Sequence, residues 1–130
     1  MSVTVEWASP RKHRLILAFH APWTWNEYEQ LSPAIEHAFH STDNTVDFII
    51  DLRDAGEMPD DVLNRLRDAY ADATVNLGGY IFIGADANFK TLLEVADNYY
   101  STLGGRLNYL FVDTLEEAYE MLNWRDAVGL

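Results

Sequence analysis

The chain contains no cysteine, which excludes a disulfide framework, a thiolate-held metal and a cysteine nucleophile. Basic residues are scarce. Nine Lys and Arg stand against 21 Asp and Glu, a formal net charge of −12. Phosphate backbones and anionic membrane surfaces are gripped by clustered Lys and Arg, so no nucleic acid or anionic lipid surface is expected as a partner. Only Arg11, Lys12 and Arg14 lie close together, in an expected turn where they serve solubility. No apolar run approaches the ~18–20 residues that span a bilayer. The opening MSVTVEW alternates and already carries Glu6, unlike a signal peptide. A cytoplasmic protein without a membrane span is the expectation.

Catalytic motifs are missing too. There is no GxSxG elbow, and Gly78, Gly79 and Gly84 have neither phosphate-loop nor dinucleotide spacing. Ser2, Ser9, Ser32, Ser41 and Ser101 fall in expected turns, on a helix face or at the terminus. A phospho-receiver wants a lysine after a late strand, and Lys12 and Lys90 are not so placed. The expectation is a protein that is not an enzyme and carries no cofactor.

What is present is a globular composition: 130 residues, 48% apolar. That length suits one domain over 1–130, which buries about two-thirds of its unfolded surface without staples. Val3 to Trp7 alternates as a half-exposed strand does. A turn through SPRKH leads to a second strand, Arg14 to His20, so the pair forms an antiparallel hairpin. Thr24 and Glu27 make a capping box before a helix with Trp25, Tyr28, Leu31, Ile35, Ala38 and Phe39 on its core face. VDFIIDL is apolar on both parities, as in a strand covered on both faces.

A second helix is expected from Pro59-Asp60, with Val62, Leu63, Leu66, Ala69, Tyr70 and Ala73 inward. YIFIGA follows as a buried strand, then a helix with Phe89, Leu92, Leu93, Ala96, Tyr99, Tyr100 and Leu103. RLNYLFV is the last strand, and a Thr114/Glu117 capping box opens a helix carrying Leu115, Ala118, Tyr119 and Leu122. Leu77-Gly78-Gly79 and Leu103-Gly104-Gly105 both read as helix stops, glycine supplying a left-handed cap. The order β-β-α-β-α-β-α-β-α predicts an α/β fold, a mixed and mostly parallel sheet led by an antiparallel hairpin.

Asp51, Asp86 and Asp113 stand at or near the carboxyl ends of buried strands, the edge where open α/β sheets bind ligands. They are weak candidates for a Mg²⁺ site, since Asp86, Asn88 and Thr114 are also ordinary helix caps; no metal is the expectation. Glu36, His37 and His40 share an exposed helix face and read as solvated. His20 closes a strand before Ala21-Pro22 and shapes a loop. The chain has four Trp, seven Tyr and six Phe. These rings either fill the core or, at Trp23, Trp25, Tyr99 and Tyr100, line a groove for a small apolar ligand. Exposed aromatic helix faces would also suit a homodimer.

The stretch IIDLRDAGEMPDDVL (49–63) resembles the signature segment of STAS domains, the SpoIIAA-like (anti-sigma-factor antagonist) superfamily. There a buried strand ends in Asp-Leu, a loop of about seven residues follows, and a helix starts at a serine. Asp51-Leu52 matches the strand end, Arg53 to Pro59 the loop, and Asp60-Asp61 the helix start. The element order is similar along the whole chain, and PWTWNEY looks like the divergent branch of the superfamily. The resemblance implies a non-enzymatic regulatory module. Its protein partner would dock on the loop and helix through Arg53, Asp54, Glu57, Asp60, Asp61 and Asn64. The carrier or sensor of a lipid-like ligand is the alternative.

One departure is sharp. Classical antagonists are phosphorylated at the helix-start serine, whereas no Ser or Thr occurs between Asp51 and Ala73. A switch of that kind is excluded. Asp60 and Asp61 instead bring fixed negative charge to the helix start, where the macrodipole favours it by ~0.3–1 kcal/mol each. They are an N-cap with a first-turn acid, or a permanent imitation of the phosphorylated surface.

Overall fold

A computed structural model describes residues 2–59, 61, 62, 64, 65, 76–103 and 108–129, without the side chain of Tyr100. It is an α/β structure with β1 (Val3–Trp7), β2 (Arg14–His20), α1 (Trp25–His40), β3 (Val46–Asp54), β4 (Leu77–Ile83), α2 (Ala87–Ser101), β5 (Tyr109–Val112) and α3 (Leu115–Val128). The five strands form one sheet in the order β1-β2-β3-β4-β5. The β1–β2 hairpin is antiparallel and the remaining pairings are parallel, as the alternation of elements predicts. The expected helix over 60–73 lies largely outside the described residues; Val62, Asn64 and Arg65 are helical.

Alternation along the strands divides the core. Leu15, Leu17 and Phe19 of β2, Phe48, Ile50 and Leu52 of β3 and Phe82 of β4 pack with Ile35, Ala38 and Phe39 of α1 and Phe89, Leu93 and Ala96 of α2. On the opposite parity, Ile49, Ile81, Ile83 and Val112 meet Ala118 and Leu122 of α3. Both capping threonines act as the sequence predicts: Thr24 Oγ1 accepts from the Glu27 N–H at 3.2 Å and Thr114 Oγ1 from the Glu117 N–H at 3.1 Å. Among the described residues no helix is long and apolar enough to cross a membrane.

Three expectations change. Leu77-Gly78-Gly79 is the start of β4 and not a helix stop. A Cβ on Gly78 would lie 2.7 Å from Asp47 Oδ1 and 2.9 Å from Thr45 Cγ2, and one on Gly79 3.3 Å from the Asn108 carbonyl oxygen. Glycine is needed there for close approach, not for a left-handed turn. Gly104 and Gly105, of the second such triplet, lie outside the described residues. The strand before the acidic loop also runs two residues further, through Arg53 and Asp54, because Asp54 pairs with His20 across a register shift. Finally, Tyr99 and Leu103, expected on the core face of α2, are 60% and 67% exposed.

The sequence reading did not single out the polar lock at the amino edge of the sheet. Among the described residues Arg14 and Asp47 are the buried charged side chains, and they face each other across β2 and β3. Arg125 of α3 donates to both Asp47 oxygens, at 2.8 and 2.6 Å. Arg14 reaches the same helix, donating to Asn123 Oδ1 at 2.9 Å and Asp126 Oδ2 at 3.2 Å. Its guanidinium lies 5.7 Å from the centre of the Tyr119 ring. This bidentate and forked geometry suits arginine and not lysine. It pins α3 to the sheet at the end opposite the carboxyl edge.

Candidate functional site

At the carboxyl ends of β3 and β4 the chain leaves the sheet twice, and the two exits enclose a half-open cleft of about 340 Å³. Leu52, Ala55, Met58 and Phe89 provide its apolar walls, Gly56 and Gly84 its turns, and Arg53, Glu57 and Asp86 its polar rim. Gly56 and Gly84 have φ of +66° and +69°, conformations that side chains with a Cβ resist. The Gly84 site is also crowded, since a Cβ would stand 2.6 Å from Arg53 Cγ and 3.1 Å from Arg53 Cα.

The floor is braced from three sides. The Trp23 indole N–H donates to the Ala55 carbonyl at 2.9 Å from a buried position. The Ala21 N–H donates to the Asp54 carbonyl at 2.8 Å. Asp51 chelates Arg53: Oδ1 accepts from Nε at 3.0 Å and from the backbone N–H at 3.1 Å, and Oδ2 accepts from Nη2 at 2.8 Å. Hydrogen bonding from Arg53 holds the Asp51 carboxyl below its usual range despite partial burial. The same bonds raise Arg53, with Asp54 and Glu116 adding to the effect by charge. The guanidinium is therefore fixed and neutralised in place.

Asp61 has φ +80° and precedes the helical Val62. Its carbonyl accepts from the Arg65 N–H at 3.1 Å, and its carboxylate from the side-chain amide of Asn64. Asp61 thus occupies the N-cap position where Asp60 was expected, and Asp60 lies outside the described residues. Arg65 ties this helix start to α1, ion-paired with Glu29 and placed 5.1 Å from the Trp25 ring centre.

The structure brings Arg53 and Glu57 to the cleft with Asp86, and sets Asp54 on the strand end behind them, 3.6 Å from His20 Nδ1. The three strand-end aspartates have separate engagements. Asp51 is held by Arg53, Asp86 Oδ1 caps α2 by accepting from the Phe89 N–H at 2.8 Å, and Asp113 is exposed beside the α3 cap. Among the described residues no three His, Asp or Glu side chains are grouped to hold a metal ion.

The aromatic candidates pack together in part. Trp23 is buried against Phe19 and Trp25, with ring centres 4.5 and 4.9 Å away, and Trp25 meets Tyr28 at 6.1 Å. Tyr99 sits on the exposed side of α2. Neither tryptophan nor Tyr99 lines the cleft. Glu36, His37 and His40 are solvent-exposed, as read from helical spacing. Met58 and Phe89 were not anticipated as site residues. The only signal was that both follow turns at strand ends, Phe89 reading as core.

No family model matches the chain, and no curated protein matches it either.

Proposed function

We propose that the protein is a non-enzymatic, cytoplasmic docking module of the STAS-like type, engaging a protein partner through the surface from Arg53 to Leu66. What supports the reading most is the organisation of the carboxyl edge. The loop after β3 and the helix start that follows are braced by Trp23, Asp51 and Arg65, yet Glu57, Asp61 and Asn64 remain exposed. A rigid, charged loop beside a helix start suits recognition, since little ordering entropy is lost on binding. The strand-end acid that chemistry would use is already chelated by its own arginine.

The experiment is charge reversal at the helix start. The D60K/D61K variant, compared with the parent by affinity capture and quantitative mass spectrometry, should lose its specific partner while keeping its circular dichroism spectrum, with Tm lower by about 3–5 °C for the lost Asp61 cap. Unchanged capture would remove the surface assignment.

A further inference from the structure

We infer that the cleft between β3 and β4 receives a lysine or arginine side chain from the partner; this rests on the docking reading above and names the chemistry of what docks. The cleft lies at the lower end of the about 300–1,000 Å³ range of ligand sites and is half-open, with room for one long side chain. Its walls are the apolar groups of Leu52, Ala55, Met58 and Phe89, while its rim carries Glu57 and Asp86. Such a site fits an amphiphilic chain, with methylenes against the walls and a cationic head at the rim.

The charge balance selects the cation. Among the described residues Asp51, Asp54, Glu57, Asp86 and Glu116 surround the carboxyl edge, against the guanidinium of Arg53 and the His20 imidazole beside Asp54. That guanidinium is consumed by Asp51. The N-terminus of α2 also points here, but Asp86 caps it and offsets its positive end. Asp86 keeps a second oxygen for a ligand, and among the described residues no cation pairs with Glu57. An anionic side chain would meet uncompensated carboxylates, and an apolar one would leave them unserved.

The test is titration of the ¹⁵N-labelled full chain with tetralysine at low salt and about pH 6.5, where the ammonium groups are charged. Amide shifts should concentrate at Gly56, Glu57, Gly84 and Phe89. The E57Q/D86N variant, in which Asn can still cap α2, should bind about tenfold more weakly. The E36Q/E94Q variant, which removes equal charge from exposed helix positions elsewhere, should stay within about twofold. A tetramer of 2,4-diaminobutyrate has the same charge on stems two methylenes shorter. It should bind about fivefold more weakly, because less apolar surface is buried.

Shifts scattered over the acidic surface, equal weakening in both variants, or equal binding of the short-stemmed peptide would each overturn the inference. Failure here with partner capture still dependent on Asp60 and Asp61 refutes only the cleft's preference. Capture indifferent to those aspartates refutes the docking reading, whatever tetralysine does.

Discussion

Removing the Arg125 guanidinium should be among the most damaging single changes to this fold, and more damaging than neutralising its partner. The Asp47 side chain is 3% exposed while that of Arg125 is 33% exposed. In Arg125→Met the carboxylate stays buried after losing both donors, a situation that typically costs about 3–5 kcal/mol. Arg14, directly across the strand pair, can turn part of the way toward Asp47, so about 3 kcal/mol is expected. In Asp47→Asn the guanidinium can rotate into water, and a loss of about 1–2 kcal/mol is expected.

Urea unfolding followed by tryptophan emission at neutral pH reads both values. The Arg125→Met loss corresponds to a Tm drop of about 10 °C. Because the pair is shielded, the loss should change little when salt is raised to about 0.5 M, unlike that of an exposed pair. An Arg125→Met variant within about 0.5 kcal/mol of the parent, or an Asp47→Asn variant that loses more, would refute the buried-charge argument.

Three further outcomes follow from the same geometry. Gly78→Ala drives a methyl toward Asp47 Oδ1 and Thr45 Cγ2 and should lose about 1–3 kcal/mol in the same urea assay; an unchanged stability would refute the close approach. Thr114→Ala removes the α3 cap and should lose about 1 kcal/mol, visible as early loss of α3 protection in amide exchange. Acid should weaken the fold through Asp51 and Asp126. Asp51 is held low by Arg53, and Asp126, which burial pushes up, is held low by Arg125 and Arg14. A lowered carboxyl contributes stability that is present above its unfolded value of about 3.9 and is lost as pH falls through its lower folded value. Asp51→Asn should therefore flatten the stability profile below about pH 4, and an unchanged acid limb would count against the Arg53 chelate.

His13 has the same sign at higher pH. Burial first, then Arg14 and Arg11, lowers its proton affinity, opposed by Asp126 and Asp47. The stability it confers is complete above its unfolded value of about 6.5 and is lost as pH falls through the folded one. His13→Gln should reduce the stability slope between about pH 7 and 5, and an identical slope would show that His13 titrates alike in both states.

The strands and helices were legible because their signals are local. Strict alternation marks Val3–Trp7, doubled apolar parity marks Val46–Leu52, and the Thr24 and Thr114 boxes mark helix starts to the residue. What local pattern could not convey was contact between distant segments. Gly78 looks like a stop until Asp47, 31 positions earlier, is seen to occupy the space its Cβ would need. Asp47 itself hides in an apolar strand, and nothing near it in sequence announces Arg125 as its partner. The acidic loop was visible as a carboxylate cluster, but its division of labour was not. One aspartate fixes an arginine, another caps α2, and Glu57 stands exposed at the cleft rim. The cleft is lined by Met58 from the loop after β3 and Phe89 from the first turn of α2, a juxtaposition that arises only when β3 and β4 pair.

The most direct measurement of the docking claim is site-specific photo-crosslinking in native extract. A crosslinker at position 57 is compared with one at position 36 on the exposed face of α1. The account predicts one defined adduct from position 57 that disappears in the D60K/D61K background, and none of that mass from position 36. The same adduct from both positions, or one from position 36 alone, would contradict it.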